Sequence, residues 1–199
     1  MITMHKGSHA SYTYLKPVDL KYRLFNFKYK CQNKDILEQY NSGVRLFDIR
    51  IRYKEKPDPI ICYGPVDYDI SWSKVLFDLE NLNKISTSDD KIYIRLTLEP
   101  KKSGSNRYQE KRFSSTCRDL ENKFPGLGFF GGQRRSDWKQ VYEFKKQANL
   151  HIKRAYASSV CSGGLIWPWY FSKTEKNKIW EEFILDYSDN FKWFMTDYV

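Results

Sequence analysis

The segment Gly43-Val44-Arg45-Leu46-Phe47-Asp48-Ile49-Arg50-Ile51-Arg52-Tyr53 follows the two-residue period of a β-strand and places Asp48, Arg50 and Arg52 on one face. On a half-buried edge strand such a charged face looks into water. In a closed parallel barrel the face opposite the covering helices looks into the barrel. There an ion pair costs several kcal/mol of desolvation unless its geometry is good. Beside Leu46, Ile49 and Ile51, the ladder is either a solvated edge strand or the floor of a polar site. Spacing alone leaves both open.

The rest of the chain alternates short strands with amphipathic stretches and contains no linker that would divide it, so residues 1–199 are expected to form a single domain. Ile36, Leu37, Tyr40 and Val44 suit a helix leading into the Asp48 strand. Val75, Leu76, Leu79, Leu82 and Ile85 form a cleaner helical stripe, and both stripes are expected to pack in the core. Residues 101–107 read as a polar loop containing Gly104. Phe113 to Phe124 reads as a helix stopped by Pro125-Gly126. Residues 124–135 suggest a short strand and a glycine-rich turn, without the glycine spacing of a nucleotide-binding loop. Asp137 to Phe144 reads as a further helix, and Leu150 to Tyr156 alternates like a strand.

Bulk properties bound the answer without choosing it. At 199 residues the chain is short for an eight-stranded α/β barrel of about 250 residues, so a trimmed or irregular barrel is expected. No apolar run approaches the roughly 20 residues that cross a bilayer. The start, Met1 to Lys6, lacks the pattern of a signal peptide. That leaves a cytoplasmic or peripheral membrane protein, or a secreted one whose leader has been removed. Cys31, Cys62, Cys117 and Cys161 contain no CxxC pair and indicate neither a zinc site nor a disulfide framework. With 34 Lys+Arg against 24 Asp+Glu, the net charge of +10 favours an anionic partner. The basic residues are dispersed, which argues against nucleic acid.

A second segment, Gly7-Ser8-His9-Ala10-Ser11-Tyr12-Thr13-Tyr14, puts a histidine at the end of a strand, where it can act as an acid or base. The order of that segment, a helix, the Asp48 strand and then Ile60-Ile61-Cys62-Tyr63-Gly64-Pro65 resembles the catalytic domain of the phosphatidylinositol-specific phospholipases C. The resemblance continues through Ile92 to Glu99 and through Ala155 to Gly164. It ends at Trp193 to Val199, which looks like the closing strand. It covers almost the full chain and implies an α/β fold, an irregular and incomplete (β/α) TIM-type barrel.

Members of that family cleave an inositol phosphodiester by attack of the inositol's own 2-hydroxyl. The resemblance puts His9 at the general-base position and Asp197 at the carboxylate that orients its ring. Arg50 falls on the phosphate-clamping arginine of the bacterial, metal-independent branch. Calcium-dependent members carry carboxylates at the strand positions of Asp48 and Arg50. The expectation is therefore no metal and no cofactor. Arg95 and Asp48 are candidate substrate-binding residues, with a structural ion pair among Arg95, Glu99, Asp48 and Arg50 as the alternative. Ser162 resembles a loop after the seventh strand. Trp167 and Trp169 resemble an aromatic rim that meets lipid, or else they cap the core.

Two positions depart from the family pattern. Ala10 stands where Asp or Asn is usual, and Tyr63 occupies the position of the general-acid histidine. A phenol, with an ordinary pKa of about 10, is poorly matched to proton transfer near neutrality, and losing a general acid typically costs on the order of 10² to 10⁴ in rate. His5 would lie roughly 13 Å below His9 on the same strand, and His151 lies early in a later strand, so neither substitutes. The leading expectation is a phosphodiesterase acting on phosphatidylinositol or another inositol phosphodiester, with Tyr63 as an altered acid. The alternative is a pseudoenzyme that binds inositol phosphates or an anionic membrane surface.

Overall fold

A computed structural model of the chain describes residues 5–26, 29–55, 57–99, 107–133, 142–143, 152–155 and 193–196. Strand β1 (His5–Ser8) leads through two short helices, α1 (Leu20–Leu24) and α2 (Ile36–Asn41), to β2 (Val44–Arg52). A hairpin of β3 (Ile60–Tyr63) and β4 (Val66–Asp67) precedes helix α3 (Trp72–Ile85), which returns the chain to β5 (Tyr93–Leu98). Helix α4 (Arg107–Lys123) then crosses to β6 (Gly128–Gln133), and β7 (Tyr142–Glu143), β8 (Ile152–Ala155) and β9 (Trp193–Thr196) follow.

The sheet order is β7-β6-β5-β2-β1-β9-β8. Neighbours from β6 to β8 along this path run parallel, and β7 lies antiparallel on β6. Helical crossovers are the connections that parallel neighbours require. The protein is α/β, and its described strands make an incomplete barrel. Strand β2 sits at the middle of the sheet and is buried along nearly its whole length, as expected for a parallel strand covered on both faces.

Period-two alternation divides β2 and β5 between two environments. Phe47, Ile49 and Ile51 of one strand and Tyr53 just after it, with Ile94, Leu96 and Leu98 of the other, join the core with Val75, Leu79 and Leu82 of α3 and Phe113, Cys117 and Leu120 of α4. The register Asp48↔Arg95 and Arg50↔Thr97 sets Asp48, Arg50 and Arg52 on the opposite face with Arg95, Thr97 and Glu99. The charged ladder is therefore the floor of a polar site and not a solvated edge.

Several boundaries differ from those read in the sequence. Val44 opens β2 instead of closing a helix, because α2 ends at Asn41 and is followed, after its cap Ser42, by Gly43, whose φ of +89° is the left-handed conformation that ends helices. The start of α2 is fixed by a capping box between Asp35 and Glu38. Leu37 is 40% and Ile85 37% exposed, so the two stripes are narrower than their apolar positions imply. Strand β3 pairs antiparallel with β2 and β4, which makes it half of a hairpin. Helix α4 begins at Arg107, six positions before Phe113, because its first turns are polar and carry no apolar stripe. Gly131 and Gly132 lie within β6, not in a turn. Tyr142–Glu143 is a strand where a helix was expected, since pairing with β6 outweighs the local pattern.

Candidate active site

Strand β1 ends at Ser8, and the chain turns sharply at Ala10, whose φ of +45° is uncommon for a residue with a side chain. Several bonds hold this turn. Ala10 N donates to Asp48 Oδ2 at 3.1 Å, Ser11 N donates to the Asp48 carbonyl at 2.8 Å, and Gln32 Nε2 donates to the His9 carbonyl at 3.0 Å. The left-handed region is one that Asp and Asn enter more readily than Ala. Ala10 thus keeps the backbone bond to Asp48 while lacking a polar side chain. The result is a His9 that is 1% exposed and fixed over the end of β2.

Beneath it, Asp48 is completely buried. Its Oδ2 also accepts from Arg50 Nε at 2.9 Å, and its Oδ1 accepts from Arg95 Nη1 at 2.6 Å and Thr97 Oγ1 at 3.3 Å. Burial alone would push its carboxyl up, but the Arg50 and Arg95 guanidinium groups outweigh burial and hold it well below the usual carboxylate range. Burial likewise disfavours the charge on Arg50. The carboxylates of Asp48 and Glu99 outweigh it, raising that guanidinium well above its ordinary value. Both groups are therefore charged near neutral pH.

Arg50 is the hub of the site. Its Nη1 lies 3.5 Å from Glu99 Oε2, and its Nη2 lies 2.7 Å from His9 Nε2. A guanidinium can only donate, so His9 Nε2 accepts with its lone pair and the ring proton sits on Nδ1. The Arg50 guanidinium also stacks 4.9 Å from the Tyr63 ring centre, and the Tyr63 ring meets His9 edge-on at 5.4 Å. Three side chains, from the turn after β1, from β2 and from β3, thus converge where the parallel strands end, the usual place for catalytic groups in an α/β barrel.

The turn after Tyr63 is held from two sides. Gly64, with a φ of +56°, donates its N–H to Glu99 Oε1 at 3.1 Å, and its carbonyl accepts from Arg52 Nη2. Arg52 Nε lies 3.1 Å from Asp67 Oδ1, angled as an ion pair and not as a hydrogen bond. Lys54 Nζ reaches Asp67 Oδ2 at 2.7 Å. Next to Tyr63, burial pushes the Cys62 thiol up to about 12, which leaves it protonated and unreactive.

Of the residues expected from the sequence, His9, Arg50 and Tyr63 come together. Asp48 and Arg95 lie under Arg50, with both Asp48 oxygens occupied by internal donors, an arrangement suited to support and not to touching a ligand. Asp197, Ser162, Trp167, Trp169 and His151 lie outside the described residues, as does the side chain of His5. The register does set Ser8, the residue before His9, beside Thr196, the residue before Asp197. Sequence reasoning missed Asp67 and the bridging part of Glu99. The signal available for Glu99 was its alternation with Arg95 and Thr97. Nothing local marks Asp67, whose partners on β2 become visible only once the hairpin folds back. Among the described residues no group of three or more His, Cys, Asp or Glu side chains is arranged to hold a metal ion.

No protein-family model and no curated protein matches the sequence. Solved structures do match. The phosphatidylinositol-specific phospholipase C of Listeria monocytogenes superposes with a TM-score of 0.63 at 14% identity, over 99% of this chain and 88% of that one. The corresponding Staphylococcus aureus enzyme, in a structure concerned with modulation of its membrane binding, superposes with a TM-score of 0.63 at 15% identity, over 98% and 85% of the two chains. At these identities the likeness defines the fold. The chain is similar to bacterial phosphatidylinositol-specific phospholipases C in architecture, and its site must be argued from its own residues.

Proposed function

We propose that this chain is a phosphodiesterase that cleaves an inositol phosphodiester by intramolecular transfer, with His9 as general base, Arg50 as phosphate clamp and Tyr63 as proton donor. The observation that carries the reading is the contact of Arg50 Nη2 with His9 Nε2 at 2.7 Å, which puts a fixed cation and a basic lone pair side by side. When a phosphate oxygen takes the Arg50 Nη2 proton as its partner, His9 Nε2 is released to accept the proton of the inositol 2-hydroxyl. That oxygen attacks phosphorus, the bond to the leaving alcohol's oxygen breaks, and that oxygen takes the Tyr63 phenolic proton. The products are a cyclic phosphodiester and a free alcohol, with His9 protonated and Tyr63 ionised until solvent restores both. Arg50, fixed by Asp48 and Glu99, stabilises charge on the phosphate without reorganising. Asp197 is the residue assigned to His9 Nδ1.

A membrane surface is the natural location of a lipid substrate, and one surface feature supports it. Val18, Leu20, Leu24 and Phe25 are 50 to 70% exposed around α1, a helix with no buried residue that also carries Lys21 and Arg23. An apolar patch with basic neighbours fits an anionic bilayer. Among the described residues no helix is long and apolar enough to cross a membrane.

A second reading has its own support. Tyr63 in place of histidine, and a His9 lone pair engaged by Arg50, also suit a binding module for inositol phosphates or an anionic surface. The deciding assay offers phosphatidylinositol vesicles and soluble inositol phosphodiesters to the wild type, His9→Ala and Tyr63→His, with a chelator present. A cyclic product that His9→Ala abolishes and Tyr63→His raises by about 10²-fold supports the enzyme. Vesicle binding with no turnover by wild type or Tyr63→His replaces it with the binding module.

A further inference from the structure

The geometry points to Arg52 as a positioning residue for Tyr63. We infer that Arg52, paired with Asp67, holds the Tyr63-Gly64 turn so that the phenol faces the leaving oxygen. The inference rests on the phosphodiesterase reading and concerns a residue that acts through the turn after Tyr63. Both polar groups of Gly64 are engaged by buried charges of opposite sign, its N–H by Glu99 and its carbonyl by Arg52. Glu99 also faces Arg50, so one carboxylate ties the phosphate clamp to the turn that carries the phenol. Arg52 closes the other side of the same peptide.

Stability alone is a poor reason for this arrangement. Arg52 is 1% exposed, its Nε pairs with Asp67 at an unfavourable angle, and its Nη1 has no hydrogen-bond partner among the described residues. A buried ion pair of that quality is commonly no better than packed apolar side chains. What the guanidinium supplies and an apolar residue cannot is a donor aimed at the Gly64 carbonyl. Gly64 needs that restraint because its left-handed φ is one of several conformations open to glycine, and a turn free to relax would carry Tyr63 with it.

The test separates positioning from folding by using two leaving groups. Phosphatidylinositol releases an alkoxide that needs a proton, whereas 4-nitrophenyl inositol phosphate releases a phenolate that does not. Arg52→Lys, which keeps the charge and shortens the fork, is expected to lower kcat on phosphatidylinositol by about 10²-fold. The nitrophenyl ester should change less than about threefold, because no acid is required there. Equal losses on both substrates, or no loss on either, overturn the inference. Hydrogen exchange at the Gly64 amide gives an independent answer: Arg52→Lys should speed it relative to the β2 amides, and an unchanged rate also overturns the inference. If the wild type cleaves neither ester, the phosphodiesterase reading falls, and the Gly64 amide alone decides whether Arg52 holds the turn.

Discussion

Asp48 and Asp67 are both buried carboxylates paired with an arginine of β2, and they are held in different ways. Asp48 accepts from Arg50 on its own strand, from Arg95 and Thr97 on β5, and from the Ala10 amide beyond β1. Asp67 is held by Arg52 at a poor angle and by Lys54, whose side chain is 47% exposed. The first joins three neighbouring segments of the sheet and has both oxygens occupied. The second sits on a hairpin at the margin and leans partly on solvent. One is built as a platform, the other as a brace, and their removal should differ accordingly.

The largest effect is expected for Asp48→Asn. It leaves the buried Arg50 and Arg95 without their shared counter-charge, which should cost about 3–5 kcal/mol in urea unfolding. The pH dependence has a definite sign. Because the folded-state carboxyl is held well below its unfolded value of about 3.9, its contribution is complete above that pH and is lost as pH falls toward the folded value. Wild type should therefore exceed Asp48→Asn by the full margin at pH 7, and the gap should close progressively below about pH 4. A gap that is flat with pH, or below about 1 kcal/mol at neutrality, would remove Asp48 as the platform.

Asp67→Asn should cost less, about 2 kcal/mol. Arg52 keeps the Gly64 carbonyl, and Lys54 can swing into water. A loss as large as that of Asp48→Asn would erase the distinction between platform and brace. A loss confined to turnover, with the unfolding midpoint unchanged, would sharpen it.

The same contrast explains what the sequence disclosed. The Asp48 platform is legible because its parts lie on alternating strands: Asp48 and Arg50 two residues apart on β2, Arg95 and Thr97 two apart on β5, with Glu99 just beyond its end. Period-two spacing gives each strand its polar face, and parallel pairing then brings the faces together. The order of segments singled out His9, Arg50 and Tyr63, which the fold brings within contact of one another. The brace was not, because Asp67 lies in the four-residue sequence Val66-Asp67-Tyr68-Asp69 with no pattern of its own. Its pairing with Arg52 depends on an antiparallel hairpin. The start of α4 and the strand β7 were missed for the related reason that polar helix turns and two-residue strands take their structure from tertiary pairing, which local periodicity does not encode.

Lys54→Ala is the smallest expected effect and the one that fixes the scale of the comparison. The Lys54 ammonium lies 2.7 Å from Asp67 Oδ2, a distance that in a buried site would mark a strong pair. Here the side chain is half exposed, so solvent screens the attraction and the long chain loses rotamer freedom when it is held. Exposed pairs of this kind contribute about 0–1 kcal/mol. The expected result is a loss in that range that shrinks in high salt and that leaves Gly64 amide exchange unchanged, since Arg52 still reaches the carbonyl. If removing Lys54 instead loosened Gly64 as much as Arg52→Lys does, the restraint on the turn would belong to the whole Arg52-Asp67-Lys54 chain. Tyr63 would then be positioned by a relay that begins at the protein surface.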